Sequence, residues 1–216
     1  MESSVELFAL IKFGAKHHMQ QLYDDGVLYM NHISEFVRIE DSGLRGDKYE
    51  SALSMQRMIN IDIAHNGIVI AKAERGKITM HEDNPVGNIY SMYGLKVVDD
   101  LSQIKVDERC KNFGDSCVIL HNVPEFISRV NQAASTLNMK LLYEPVQYQN
   151  LEEYEGNWSL FKKPDYYKYQ REFRLLIKQE EFIGPIILSI GSIHDIAVML
   201  GTDKIDGLKV ERRKQL

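Results

Sequence analysis

Residues 166–177 read Tyr-Tyr-Lys-Tyr-Gln-Arg-Glu-Phe-Arg-Leu-Leu-Ile. The second half, residues 173–177, is the aromatic and aliphatic run of a buried strand. Gln170, Arg171, Glu172 and Arg174 crowd the entrance to it. Two readings compete: a solvated strand end with a surface ion pair, or the rim of an active site. Residues two apart on a strand share a face. Gln170 and Glu172 are therefore expected to meet one ligand from the same side, with Arg171 turned away. A carboxylate there can stabilise a sugar cation or hold a ribose hydroxyl. An amide is both donor and acceptor, which suits a nucleobase.

The remaining sequence narrows the class. The chain has 216 residues, of which 44% are hydrophobic, so a core needs neither disulfides nor metal. The net charge of −5 rules out a general nucleic-acid coat, and any such contact must be local. The two cysteines, Cys110 and Cys117, match no zinc spacing and suit a reducing compartment. The adjacent pair His17-His18 points to two faces of a helix and chelates poorly. No metal is expected. An acidic residue near the N-terminus and the absence of a long apolar run predict a soluble, cytoplasmic protein with no membrane contact.

Along the chain, residues 5–13 read as a strand ending at Gly14, and residues 15–25 as a short helix closed by Asp24-Asp25-Gly26. Residues 27–31 form a second strand, followed by a helix over 33–39 and a polar loop over 40–49. Residues 58–64 and 67–73 flank His65-Asn66-Gly67, a strong hairpin signal. Residues 78–81 read as a separate strand after Arg75-Gly76. Residues 89–98, 117–120, 139–147, 186–190 and 196–200 read as further strands. Pro124 opens the best helix, with Glu125 in its first turn. Nothing divides the chain. The expectation is one α+β domain over residues 1–216, with mixed or antiparallel sheets and three or four helices.

Three further segments carry candidate chemistry. Tyr29 lies mid-strand opposite Leu28, where it can stack on a flat ring. Lys12-Phe13-Gly14 puts a cation and a glycine at a strand end, where a phosphate can approach the backbone. The loop Arg45-Gly-Asp-Lys-Tyr-Glu50 is long and polar enough to be functional. Phosphate-loop, dinucleotide-fingerprint and nucleophile-elbow motifs are absent.

Together these features resemble the ADP-ribosyltransferases, which split nicotinamide from NAD and transfer ADP-ribose. Gln170-x-Glu172 is similar to their late-strand motif, and Gly26 to Asn31 followed by Ser34 is similar to their tyrosine strand and helix. More narrowly, the chain resembles a large group of bacterial proteins found near antiphage defence genes. The matching features are Lys12-Phe13, the strand at Gly26, an acidic loop ending at Glu50, and Gln170-x-Glu172-x-Arg174. Phe113-Gly114-Asp115 and Phe126 also fit. The resemblance implies two split, mostly antiparallel sheets and NAD as substrate. It implies Glu172, Tyr29 and Gln170 as catalytic, with Lys12, Phe13, Gly14, Asn31, Ser34 and Arg45 holding NAD. It further implies a toxin acting on nucleic acid, RNA before DNA, with an antitoxin or chaperone partner. Arg171, Arg174, Lys162, Lys163 and Tyr167, a basic segment interleaved with aromatics, are then expected to bind the acceptor strand. A non-enzymatic nucleotide- or partner-binding module is the alternative.

Overall fold

The computed structural model describes residues 7–39, 46–96, 106–178 and 184–208. The chain is α+β as expected, about 27% helix and 45% strand, with largely antiparallel sheets. Its residues cluster into two compact units. One comprises residues 1–32, 86–146 and 168–216, and the other residues 33–85 and 147–167. Arg45, the expected residues 5 and 6 of the first strand and residues 97 and 98 of the strand expected over 89–98 lie outside the described residues.

The first unit is built on an eight-stranded sheet. Its strands are β1 (Leu7–Gly14), β2 (Val27–His32), β5 (Asn88–Lys96), β6 (Ser116–Leu120), β7 (Leu141–Pro145), β11 (Glu172–Ile177), β12 (Ile186–Ser189) and β13 (Ala197–Gly201). β5 is the branch point. One of its edges pairs with β11 from Asn88 to Tyr93. The other edge pairs with β1 at one end, where Ile11 faces Tyr93, and with β2 at the opposite end, where Asn31 faces Ile89. β1 and β2 thus share one edge of β5 and part company between, which splits the sheet. β2 carries β12 on its far side, and β1 carries β6 and then β13.

Two helices cover one face of this sheet. The helix α1 (Lys16–Asp25) buries Met19 and Leu22, and α3 (Val123–Thr136) buries Phe126, Val130 and Ala134. They pack with Leu10, Leu28, Met30, Val118, Phe173 and Leu175 into the larger core. Gly26 ends α1 in a left-handed conformation, φ 62°, with its N–H donating to the carbonyls of Gln21 and Leu22. A Cβ there would fall 2.0 Å from the Gly191 carbonyl oxygen, so glycine is required on both counts. At the start of α3, the Asn122 side chain accepts from the Glu125 N–H. Arg129 ties the helix down by donating to Glu125 and Asp195. The opposite sheet face holds Ile11, Tyr93, Leu95, Cys117 and Ile119, with Cys110 and Ile205 from two 3-10 segments, Glu108–Phe113 and Thr202–Gly207. Both cysteines are free thiols, and burial pushes them up to about 12 for Cys110 and about 11 for Cys117.

Asn88 fastens the branch. Its Nδ2 donates to the Met30 carbonyl at 3.0 Å and to the Gly184 carbonyl at 2.6 Å. Asn88→Ala strands two acceptors, and we expect a stability loss of about 2 kcal/mol in denaturant unfolding.

The second unit contains α2 (Ile33–Arg38) and a long hairpin, β3 (Ala52–His65) and β4 (Ile68–His81). Asn66 (φ 51°) and Gly67 (φ 82°) form the two-residue turn that the sequence signals. The separate strand expected at residues 78–81 is instead the end of β4, which runs through Gly76 unbroken. Gly76 has a packing reason: a Cβ there would lie 2.4 Å from Cδ1 of Ile61. The short strand β9 (Gly156–Asn157) adds to β3 at Ser54 and Met55. The strands β8 (Gln147–Gln149) and β10 (Lys162–Pro164) pair in parallel, so the expected single strand over 139–147 is two strands in two units. Ala52, Met55 and Trp158 form a small core with Tyr49, Leu151 and Tyr154.

Candidate active site

The entrance to β11 is a tight corner. A 3-10 segment, Asp165–Gln170, runs into Arg171, whose φ of 41° is left-handed. For a residue with a Cβ this costs on the order of 1–2 kcal/mol. Two backbone bonds hold it: the Arg171 N–H donates to Lys168 at 3.2 Å, and its carbonyl accepts from Gly94 at 2.8 Å. The Arg171 guanidinium lies 5.9 Å from the Tyr93 ring centre. The strand therefore begins at Glu172, not before it. Gln170 and Glu172 are not two apart on one strand, which corrects the shared-face geometry expected for them. Gln170 is buried at the end of the 3-10 segment, its Nε2 donating to the Tyr169 hydroxyl at 3.3 Å.

Glu172 and Arg174 are the residues that do share a strand face. Arg174 Nε donates to Glu172 Oε2 at 2.8 Å, and the side chains are 2% and 10% exposed. An ion pair this dry is held by geometry as well as charge. Arg174 was expected in an exposed acceptor groove. It is instead among the largest fully buried side chains, because residues two apart on β11 point into the same interior.

Strand register shows what shares this face. Glu172 is opposite Tyr93 and Arg174 opposite Ser91. Tyr93 in turn is opposite Ile11 on β1, so Phe13, two residues on, lies on the same face. The Phe13 and Tyr93 rings meet edge to face, centres 6.4 Å apart. On β2 the register at Asn31 puts Asn31 and Tyr29 on this face also. Tyr29 is 53% exposed, while Leu28 and Met30 on the reverse side are fully buried. One face of the split sheet thus carries Phe13, Tyr29, Asn31, Glu172 and Arg174.

Lys12 lies on the other face. Its ammonium donates to the Ser91 carbonyl at 2.8 Å and sits 4.0 Å from the centre of the Tyr90 ring. It closes the stretch of β5 between β1 and β2, and does not offer a cation to a phosphate on the Glu172 face. This corrects the phosphate role expected of Lys12. The close backbone approach expected at Gly14 is made by the chain itself: a Cβ on Gly114 would lie 2.2 Å from the Gly14 carbonyl.

The remaining expected residues belong to the second unit. Ser34 lies in the first turn of α2. Lys163 and Tyr167 were expected to line the acceptor groove, but both are buried. The Lys163 ammonium sits 4.4 Å from the centre of the Tyr167 ring, and the Tyr167 hydroxyl donates to the Gly46 carbonyl at 2.9 Å. These two are interior supports. Lys162 donates to the Tyr154 hydroxyl and the Asn157 carbonyl, each at 2.6 Å. Of the five residues expected to bind an acceptor strand, Arg171 alone is exposed.

Tyr93 joins this face without having been expected from the sequence. It faces Glu172 in register, is 4% exposed, and burial pushes its phenol up to about 12. It is a neutral hydroxyl at pH 7. The signal was the run Ile-Tyr-Ser-Met-Tyr-Gly at residues 89–94, where alternation puts Ser91 and Tyr93 together on the face away from the helices. Among the described residues, no three His, Cys, Asp or Glu side chains group as metal ligands, and no helix is long and apolar enough to cross a membrane. No family model, curated protein or solved structure matches the chain.

Proposed function

We propose that the chain is an NAD-dependent mono-ADP-ribosyltransferase with Glu172 as its catalytic carboxylate. The observation that carries this reading is the face shared by Glu172, Tyr29 and Asn31 on a sheet that splits between β1 and β2. It places a carboxylate at the first residue of a late strand and an exposed aromatic ring on the strand beyond the split.

In this mechanism the bond from ribose to nicotinamide breaks through an oxocarbenium-like state. Glu172 stabilises the positive charge on the ribose and accepts a hydrogen bond from its 2′-hydroxyl. Arg174 orients the carboxylate through Nε. Tyr29 stacks on the nicotinamide, and Asn31 meets the same ligand from the neighbouring position on that face. The electron pair of the broken bond leaves with nicotinamide, and an acceptor nucleophile adds to the ribose carbon. The acceptor is proposed as nucleic acid, RNA before DNA, with exposed Arg171 beside the site, in a toxin of antiphage defence held by an antitoxin or chaperone. That part rests on the resemblance, since the basic and aromatic groove expected from residues 162–174 is largely interior.

Tyr29→Ala tests the stacking role without touching the core. Stacking of a flat ring on an aromatic side chain contributes about 1–3 kcal/mol. We expect NAD affinity, measured by titration calorimetry, to weaken about tenfold or more with an unchanged melting temperature. A non-enzymatic nucleotide sensor would show the same loss of binding but release no nicotinamide from NAD in the wild type. Nicotinamide release is therefore the measurement that separates the two readings.

A further inference from the structure

Most of the β3–β4 hairpin is exposed. From Gln56 to Asn60 and from Ile68 to Lys72 every residue is exposed. Ile59, Ile68 and Ile70 are 69%, 70% and 66% exposed. β4 ends its three-stranded sheet, so among the described residues its outer edge has no strand partner. β9 covers β3 only at Ser54 and Met55. A long exposed edge, apolar over residues 68–71, is a template for pairing with another strand whose charges match its own.

The charges on β4 select the partner. They lie in its middle, at Lys72, Glu74, Arg75 and Lys77, around the small residue Ala73. An antiparallel pairing of β4 with its own copy must centre on one residue. Centring on Lys72 sets lysine against lysine, and centring on Glu74 sets glutamate against glutamate. Centring on Ala73 sets Lys72 opposite the partner's Glu74 on both sides of the axis. Within one protomer Lys72 already faces Asp62 at 3.8 Å, so the lysine would stand between two carboxylates across the joined sheets. Opposite charges directly across a strand pair stabilise, and like charges destabilise.

We propose that β4 pairs edge to edge with β4 of a second copy of this chain, antiparallel and centred on Ala73, forming a two-fold dimer through a continuous six-stranded sheet. The exposed isoleucines supply apolar area, and the central charges disfavour the registers centred on Lys72 and Glu74. This inference is independent of the proposed enzymatic activity.

The test is light scattering of the full chain after size exclusion, over a range of concentrations at low salt. The wild type is expected to be dimeric. Glu74→Lys turns both Lys–Glu pairs into Lys–Lys pairs and is expected to raise the dimer dissociation constant about tenfold or more. The swap Lys72→Glu with Glu74→Lys recreates both pairs and is expected to restore the dimer. Ala73→Cys is expected to form a disulfide with its own copy under mild oxidation, since opposed Cα atoms in an antiparallel pair lie about 4.5–5.5 Å apart. A wild type monomeric at every concentration would overturn the proposal. So would a dimer indifferent to Glu74→Lys, a charge swap that fails to restore it, or an Ala73→Cys chain that forms no crosslink.

Discussion

Glu172→Gln is expected to lower the stability of the first unit by about 3–5 kcal/mol, besides removing activity. The reason is Arg174. Its side chain is 2% exposed, and its Nε donates to Glu172 Oε2 at 2.8 Å. Neutralising the carboxylate takes this counter-charge away from a buried cation. The melting temperature is expected to fall by on the order of 10 °C. A thermal melt of the purified variant reads this directly, and an unchanged melting temperature would show that the pair is not a dry one. The consequence is practical: loss of activity in Glu172→Gln alone does not separate catalysis from unfolding.

The double variant Glu172→Leu with Arg174→Met resolves that confusion, and its expected effect is the second large one. Replacing a buried ion pair by apolar groups of similar volume is often neutral or stabilising. The double variant is expected to melt within a few degrees of the wild type, well above either single variant. Its catalytic rate is expected to fall by on the order of 10²–10³ or more, the usual cost of losing an electrostatic contact to a transition state. Restored folding with retained activity would exclude Glu172 as the catalytic carboxylate. Restored folding with lost activity would assign the Glu172–Arg174 pair a chemical role beyond stability.

Much of the fold was legible in local signals. Asn66-Gly67 fixed the hairpin because few other pairs adopt two successive positive φ angles. Pro124 and Glu125 marked the start of α3, and alternation around Tyr29 placed it opposite the buried Leu28 and Met30. What escaped depends on tertiary partners. Nothing about an arginine announces the left-handed corner at Arg171, which is held by Lys168 and Gly94. The charges of Arg174 and Lys163 suggested surface, yet Glu172 and the Tyr167 ring draw them inside. Lys12 and Phe13 were indistinguishable as site residues until the pairing of Ile11 with Tyr93 assigned them to opposite faces. The split itself is a property of register along β5, and no single segment contains it.

The most direct measurement is transfer of label from NAD, with RNA, DNA and protein from cell extract offered in parallel. The wild type and the Glu172→Leu, Arg174→Met double variant are run side by side. Label is expected on nucleic acid, RNA before DNA, with the wild type and none with the folded double variant. A wild type that neither releases nicotinamide nor transfers label, or a double variant that transfers as well as the wild type, would contradict it.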